Sequence, residues 1–249
     1  MSTELRDQMT AERMDADFAA EPSSARTLFV IWQEPESRAF VKVGQLDQFR
    51  DGRYSFRYLP RAKVESNFHP LAEFPGLDDH HESRNLPAFF ANRVMNRQRS
   101  DYREYRSWLG LDAEGADTPF EVLARTGGPR ETDTFHVVDD VQANSAGQLV
   151  SRFFVSGVRH QPGSEALIKG LKAGARLALR DEPDNPRNPR AMLIDVVAGH
   201  AVGWVPDWLV DDVHTLRARD PELEVVVERC NPDAPAHLRL LCRISAQAG

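Results

Sequence analysis

The sequence predicts an α+β protein in which a small antiparallel sheet with helices is followed by a β-barrel-like module. Apolar side chains alternate over residues 27–59, which is typical of short strands buried on one face. Apolar residues at helical spacing over 86–126 predict three helices after that sheet. A second series of short strand-like runs begins near residue 153 and predicts the barrel.

These changes of pattern divide the 249 residues into three segments. Residues 1–26 are polar and carry more acidic than basic side chains, which predicts a flexible tail. Residues 27–146 are predicted to form the first, α+β domain, and residues 147–249 the barrel domain. The boundary is placed at the small and polar run 144–147, because such runs are typical of connections.

The expected elements follow from local signals. In the first domain, strands are predicted at 28–33, 40–46 and 54–59, with Asp51-Gly52 as a hairpin turn, and helices near 86–95, 101–110 and 118–126. In the second, strands are predicted at 153–158, 176–180, 191–197 and 201–205, then a helix after Pro206 and a terminal hairpin of 223–230 with 238–244. That hairpin places Cys230 and Cys242 far apart, so no disulfide is expected.

Composition excludes several classes of protein. A net charge of −7 disfavours a protein that grips duplex DNA by neutralising many phosphates, although a small pocket for a strand end needs only a few groups. The polar N-terminus is unlike a secretory signal, and no apolar run is long enough for a membrane span. Two cysteines without zinc-ligand spacing fit a cytoplasmic protein with no metal or cofactor.

The richest chemistry lies in the second half. Three prolines stiffen the loop 183–189, and Arg187, Asn188 and Arg190 offer hydrogen-bond donors that suit a phosphate. Trp204 offers a flat face for a base or sugar. The alternative remains open that Asn185 and Asn188 only satisfy the turn backbone and that Trp204 belongs to the core.

Three runs carry a family resemblance: FVSGVR at 154–159, DNPRNPRAM at 184–192 and VGWVP at 202–206. Through them, residues 150–245 resemble the HIRAN domain, which occurs on some fork-remodelling helicases and as free-standing bacterial proteins. The resemblance implies a barrel similar to the oligonucleotide-binding fold that captures the 3′ end of a single DNA strand. No set of residues in the sequence supports an enzymatic activity, so a non-enzymatic binding protein is expected.

The resemblance implies a site as well. The family pocket uses an arginine-aromatic pair after the first strand and a Tyr-Asp pair in the loop. Here Arg159 matches the arginine, while His160 replaces the aromatic residue and Arg187-Asn188 replace Tyr-Asp; the position of a family lysine is taken by Asp207. The predicted nucleic-acid-binding residues are therefore Arg159, His160, Arg187, Asn188, Arg190 and Trp204. The replacements weaken the case for strict selection of 3′ ends.

The first half resembles a second family. The runs VGQL at 43–46, YSFRY at 54–58, FHPL at 68–71 and LPAFF at 86–90 are similar to the N-terminal subdomain of HipA-type toxin kinases. That resemblance covers 27–125 and implies a domain that packs on a kinase core or restrains a separate kinase chain. Kinase motifs are absent, so the alternative function is an antitoxin-like regulator of a separately encoded HipA-like kinase.

Other candidates are weaker. The run 78–82 contains metal-ligating residue types, but a solvated charged loop is the favoured interpretation. His136 has no nucleophile in register for a hydrolase triad. A cluster of arginines could contact phosphates or form a solvated helix face: Arg93, Arg97, Arg99, Arg103 and Arg106.

Overall fold

A computed structural model describes residues 24–130, 132–139, 141–143 and 147–247. Most of the predicted tail, residues 1–23, and most of the predicted boundary at 144–147, residues 144–146, lie outside the described residues. The prediction that the tail extends to residue 26 is wrong, because Ser24–Gln33 is the first strand. Arg26 is paired with Gln48 there, and its guanidinium binds the carboxylates of Glu121 and Asp139.

The first half contains an antiparallel sheet of five strands in the order β4-β3-β2-β1-β5. The strands are β1 Ser24–Gln33, β2 Phe40–Phe49, β3 Tyr54–Tyr58, β4 His80–Ser83 and β5 Phe135–Asp139. The predicted charged loop at 78–82 is therefore partly an edge strand, since β4 pairs with β3. Within the described residues no group of three or more acidic, histidine or cysteine side chains could hold a metal ion.

Four short helices accompany this sheet: α1 Pro60–Val64, α2 Ala88–Ala91, α3 Tyr102–Trp108 and α4 Pro119–Thr126. The start of α4 is as predicted, because the Thr118 hydroxyl accepts a hydrogen bond from the Glu121 amide at 3.2 Å. Gly127 ends α4 in the left-handed conformation. Asp101, directly before α3, does not cap the helix with its side chain, since its carboxylate binds Arg99.

The two faces of the first sheet are buried in different ways. One face forms an aromatic core with the helices, in which Phe56, Phe90 and Phe120 are fully buried. On the other face, Ile31 and Val138 are buried but lie outside that core. Lys42 on the neighbouring strand β2 binds Asp212 of the second half. The second half therefore covers part of this face.

The second half is a curled antiparallel sheet in the order β10-β9-β8-β11-β12-β7-β6. Its strands are β6 Gln142–Ala143, β7 Gln148–Phe154, β8 Arg176–Asp181, β9 Met192–Val197, β10 His200–Trp204, β11 Glu224–Cys230 and β12 Leu240–Gln247. Its helices are α5 Ser164–Gly170 and α6 Asp207–Arg219. The predicted terminal hairpin is β11-β12; Val227 lies opposite Cys242, and both cysteines are free.

A two-residue bridge closes the curled sheet. Ser156, just after β7, and Trp204, at the end of β10, exchange two backbone hydrogen bonds of 2.9 Å. The strands come close here because Gly203 has no side chain: a Cβ at that position would lie 2.4 Å from the Ser156 carbonyl oxygen. The result is the half-barrel that the strand pattern predicts.

The two halves share a third apolar cluster. Leu109 and Leu111, after α3, pack with Ala234 and Leu238 from the β11-β12 connection. Polar contacts flank the cluster, including Arg229 with Asp112 at 2.6 Å. The sheets are separate, but the halves are packed against each other. No helix among the described residues is long and apolar enough to cross a membrane.

Candidate nucleic-acid interface

A cleft of about 480 Å³ lies between the two halves. The end of α4, the following loop and β5 form its wall in the first half. The end of β7, the turn after it and the start of α6 form the opposite wall. Its volume is within the range of roughly 300–1,000 Å³ that small-molecule pockets occupy. A ligand of matching size is a small molecule or a short segment of a flexible polymer, rather than the broad surface of a folded partner.

The cleft is lined by cations in a chain that is acidic overall. Arg125, Arg152, Arg159 and Arg187 all contribute to its surface, and no aspartate or glutamate of the described residues does. Concave surfaces with charges of one sign concentrate the field of those charges. The cleft is therefore suited to an anion, in spite of the net charge of −7.

A short turn presents Arg159 and His160 to the cleft. The 3₁₀ turn Val158–His160 follows Gly157, which has a φ of 67°. The Ser164 hydroxyl donates to the Val158 carbonyl at 2.7 Å and so fixes the turn. The Arg159 Nε donates to the His160 Nε2 at 3.1 Å, so the two side chains lie side by side at the cleft. Within the described residues, Arg159 has no ion pair that would compete with a ligand.

Arg187 reaches the same cleft from the proline-rich loop. The side-chain oxygen of Asn185, Oδ1, accepts hydrogen bonds from the backbone amides of Arg187 and Asn188, at 3.0 and 3.1 Å. This Asx-type turn is the structural role that the alternative interpretation gave to Asn185. The turn fixes the backbone that carries Arg187, whose exposed side chain lines the cleft. The loop is thus a rigid support for one cation.

Asn188 and Arg190 do not line the cleft. The side-chain nitrogen of Asn188, Nδ2, donates to the Asp207 carboxylate at 3.2 Å. Its side-chain oxygen, Oδ1, accepts a hydrogen bond from the backbone amide of Arg190 at 2.9 Å. The Arg190 guanidinium binds Asp211 at 2.7 Å. The structure therefore joins three of the six predicted residues, Arg159, His160 and Arg187, in one cleft, and points the loop's other polar groups toward carboxylates of α6.

Trp204 also lies outside the cleft lining. Its ring packs on Gly157, where a Cβ would lie 2.6 Å from the Trp204 Cε3, and its Nε1 donates to Glu182 at 2.7 Å. Three apolar aromatic side chains line the cleft instead, Phe153, Phe154 and Trp208, and sequence reasoning missed Trp208. The available signal was its place in the first turn of α6, directly after the VGWVP run.

Sequence reasoning also missed an ion cluster beside the cleft. Glu228 on β11 binds Arg152 at 2.9 Å and lies 3.6 Å from Arg125 and 3.5 Å from Arg243. Burial, followed by the charge of Arg152, lowers the pKa of Arg125. One carboxylate thus serves three guanidiniums, and the wall retains positive charge. Periodicity within single segments does not reveal such a cluster, because its members come from four different elements.

The alternative arginine cluster at 93–106 is largely used within the fold. The Arg93 side chain is only 1% exposed, binds Asp133 and lies over the Phe89 ring. Arg97 binds the Asp117 carbonyl, and Arg99 binds Asp101. His136 lines the cleft rather than a triad; burial and then the charge of Arg93 lower its pKa.

The second half is thus a half-barrel, and the cleft between it and the first half is cationic. Residues 149–249 match the family model of the HIRAN domain. Among solved structures, the HIRAN domain of human HLTF is 19% identical, with a TM-score of 0.30, over 41% of this chain and 80% of that chain. A protein from Lactobacillus plantarum is 16% identical, with a TM-score of 0.34, over 40% of this chain and 96% of that chain.

The family match at residues 149–249 supports the HIRAN resemblance that the motifs of the second half predict. HIRAN domains bind DNA, which supports a nucleic-acid-binding role for this protein. A search of the curated proteins finds no match. The comparisons give no support to the predicted resemblance of residues 27–125 to HipA-type kinases.

Proposed function

We propose that this protein binds single-stranded DNA, in particular strand ends, without catalysing a reaction. The observation that carries the proposal is the cleft, in which hydrogen-bonded turns present Arg159 and Arg187 and which no carboxylate of the described residues lines. Guanidinium groups form strong charge-assisted hydrogen bonds with phosphate. A single strand is flexible enough to bring its phosphates into a concave site, whereas a duplex presents them on a convex surface.

The base of the strand is expected to stack on Trp208. This side chain lines the cleft while its other side packs on the core of the half-barrel. Base-aromatic stacking tolerates any sequence, because every base has a flat face. Little sequence preference is therefore expected.

The decisive experiment is a titration with labelled DNA of matched length. Single strands and duplexes with 3′ or 5′ overhangs should bind, and blunt duplexes should bind at least tenfold more weakly. Strands ending in a 3′-phosphate should bind as well as those ending in a 3′-hydroxyl, because no acidic side chain of the described residues lines the cleft to repel the extra charge. Equal binding of single strands and blunt duplexes would contradict the proposal.

Binding should weaken only moderately as salt rises. For single strands, the slope of log K against log salt is about −0.7 per neutralised phosphate. Two to four contacts from the cleft arginines then give a slope of about −1.5 to −3. The slope is measured by repeating the titration from low to physiological salt, and a slope as steep as −6 would require a far larger surface than the cleft.

Replacement of Trp208 by leucine should lower the affinity for single strands about 5- to 150-fold, since stacking contributes roughly 1–3 kcal/mol per base. Leucine keeps apolar packing against the core while removing the ring. Trp204→Phe is the control, because Trp204 packs on Gly157 outside the cleft lining. Fluorescence titration measures both variants. A larger loss in Trp204→Phe than in Trp208→Leu would place the stacking residue at Trp204.

The alternative function, a regulator of a HipA-like kinase, has less to support it. The comparisons do not favour it, and one face of the first sheet is partly covered by the second half of the same chain.

A further inference from the structure

The first half lies outside the HIRAN match, yet it forms one wall of the cleft. Arg125 in the last turn of α4, Pro129 in the following loop and His136 on β5 are its main side chains. They face the wall that carries Arg159 and Arg187. A ligand in the cleft would therefore contact both halves of the chain.

Arg125 is placed for a ligand rather than for a strong internal ion pair. Its side chain is 17% exposed, and its nearest carboxylate, Glu228, is 3.6 Å away. The same carboxylate is bound more closely by Arg152, at 2.9 Å, and is shared with Arg243. The charge of Arg26 lowers the pKa of Arg125 and the charge of Asp139 raises it, so the two effects oppose each other. A largely buried cation that shares its counter-ion is well suited to an incoming phosphate.

We propose that the first half supplies the second wall of the DNA site and that Arg125 binds a phosphate of the strand whose end is held by Arg159 and Arg187. This inference rests on the proposed function and extends it. The DNA strand would then cross the boundary between the halves. The first half would add to the affinity for DNA, and the DNA-binding unit would be larger than the HIRAN domain alone.

Arg125→Gln tests the contact, and Arg243→Gln is its matched control. Both variants lose one positive charge beside Glu228, but only Arg125 lines the cleft. Arg125→Gln should lower single-strand affinity about tenfold and make the salt slope shallower by about 0.7, as expected for one lost phosphate contact. Arg243→Gln should change the affinity by less than twofold. Equal losses in the two variants would overturn the proposal.

A second pair of variants avoids any change in the ion cluster. Pro129 is exposed and lines the cleft from the first half. Pro129→Glu adds a negative charge there, and Pro129→Gln adds a neutral side chain of the same size. The glutamate variant should bind single strands at least fivefold more weakly than the glutamine variant, with the difference shrinking at high salt. Equal binding by the two would mean that the strand does not approach this wall.

The result also separates this inference from the proposed function. If the intact protein binds single strands and Arg159→Ala weakens binding, while Arg125→Gln and Pro129→Glu have no effect, the second wall is wrong and the HIRAN site stands. If the intact protein does not bind single strands at low salt, both are wrong.

Discussion

Removing both arginines of the HIRAN wall, in Arg159→Ala/Arg187→Ala, should lower the affinity for single-stranded DNA at least a hundredfold. Each side chain is expected to make a charge-assisted contact with phosphate, and such contacts contribute about 1.5–3 kcal/mol each. Neither side chain is in an ion pair within the described part of the chain, so the loss reports on the ligand rather than on a broken internal ion pair. Fluorescence anisotropy with a labelled single strand measures the change.

A double variant elsewhere provides the control for net charge. Arg53 of the first half and Arg176 of the second pair with exposed or partly exposed carboxylates and do not line the cleft. Arg53→Ala/Arg176→Ala removes the same two charges and should weaken binding by less than threefold. If the two double variants weaken binding equally, the protein binds DNA through its general charge and the cleft is not the site.

Gly203→Ala should have the largest effect on stability. The new Cβ would lie 2.4 Å from the Ser156 carbonyl oxygen and 2.5 Å from Val155 Cγ1, so the backbone must shift at the bridge that closes the half-barrel. Such overpacking typically costs about 1–3 kcal/mol, and the strained bridge adds to it. We expect a loss of about 3 kcal/mol, or a fall in Tm of about 6–12 °C.

The same variant should also lose DNA affinity, because Arg159 follows the bridge by only three residues. Gly170→Ala is the matched control: a Cβ at the end of α5 meets nothing within 4 Å, so stability should be unchanged or slightly higher. Thermal unfolding followed by circular dichroism measures both. An unchanged Tm in Gly203→Ala would show that the bridge does not hold the half-barrel closed.

The elements with strong local signals were predictable from the sequence. Alternation located β1 to β3 and the terminal hairpin, and the Thr118-Pro119 pair located the start of α4. Strand β4 was not predictable: it carries two histidines and a glutamate, and it is a strand only because β3 offers it a pairing edge. Helix α5 was missed, because Ile168 is its only fully buried apolar side chain.

Site residues were predictable from the sequence only where a single short segment contains both the residue and the turn that positions it. Gly157, Arg159 and Arg187 lie in runs whose turn residues are visible in the sequence. The role of Arg190 was not predictable, since Asp211, which takes up its charge, lies a full turn into α6. The wall of the first half was invisible for the same reason: Arg125 reaches the cleft through the packing of two halves, and no local pattern encodes that packing.

The most direct test of the account is photocrosslinking of a single strand with a photoreactive group at its 3′ end, followed by peptide mapping. Crosslinks should fall on the segments that form the two walls of the cleft, 124–138 and 152–160, and on Trp208 at the start of α6. Arg159→Ala/Arg187→Ala should abolish them, while Arg53→Ala/Arg176→Ala should not. Crosslinks concentrated on the arginine segment 93–106, with none in the cleft, would contradict the account.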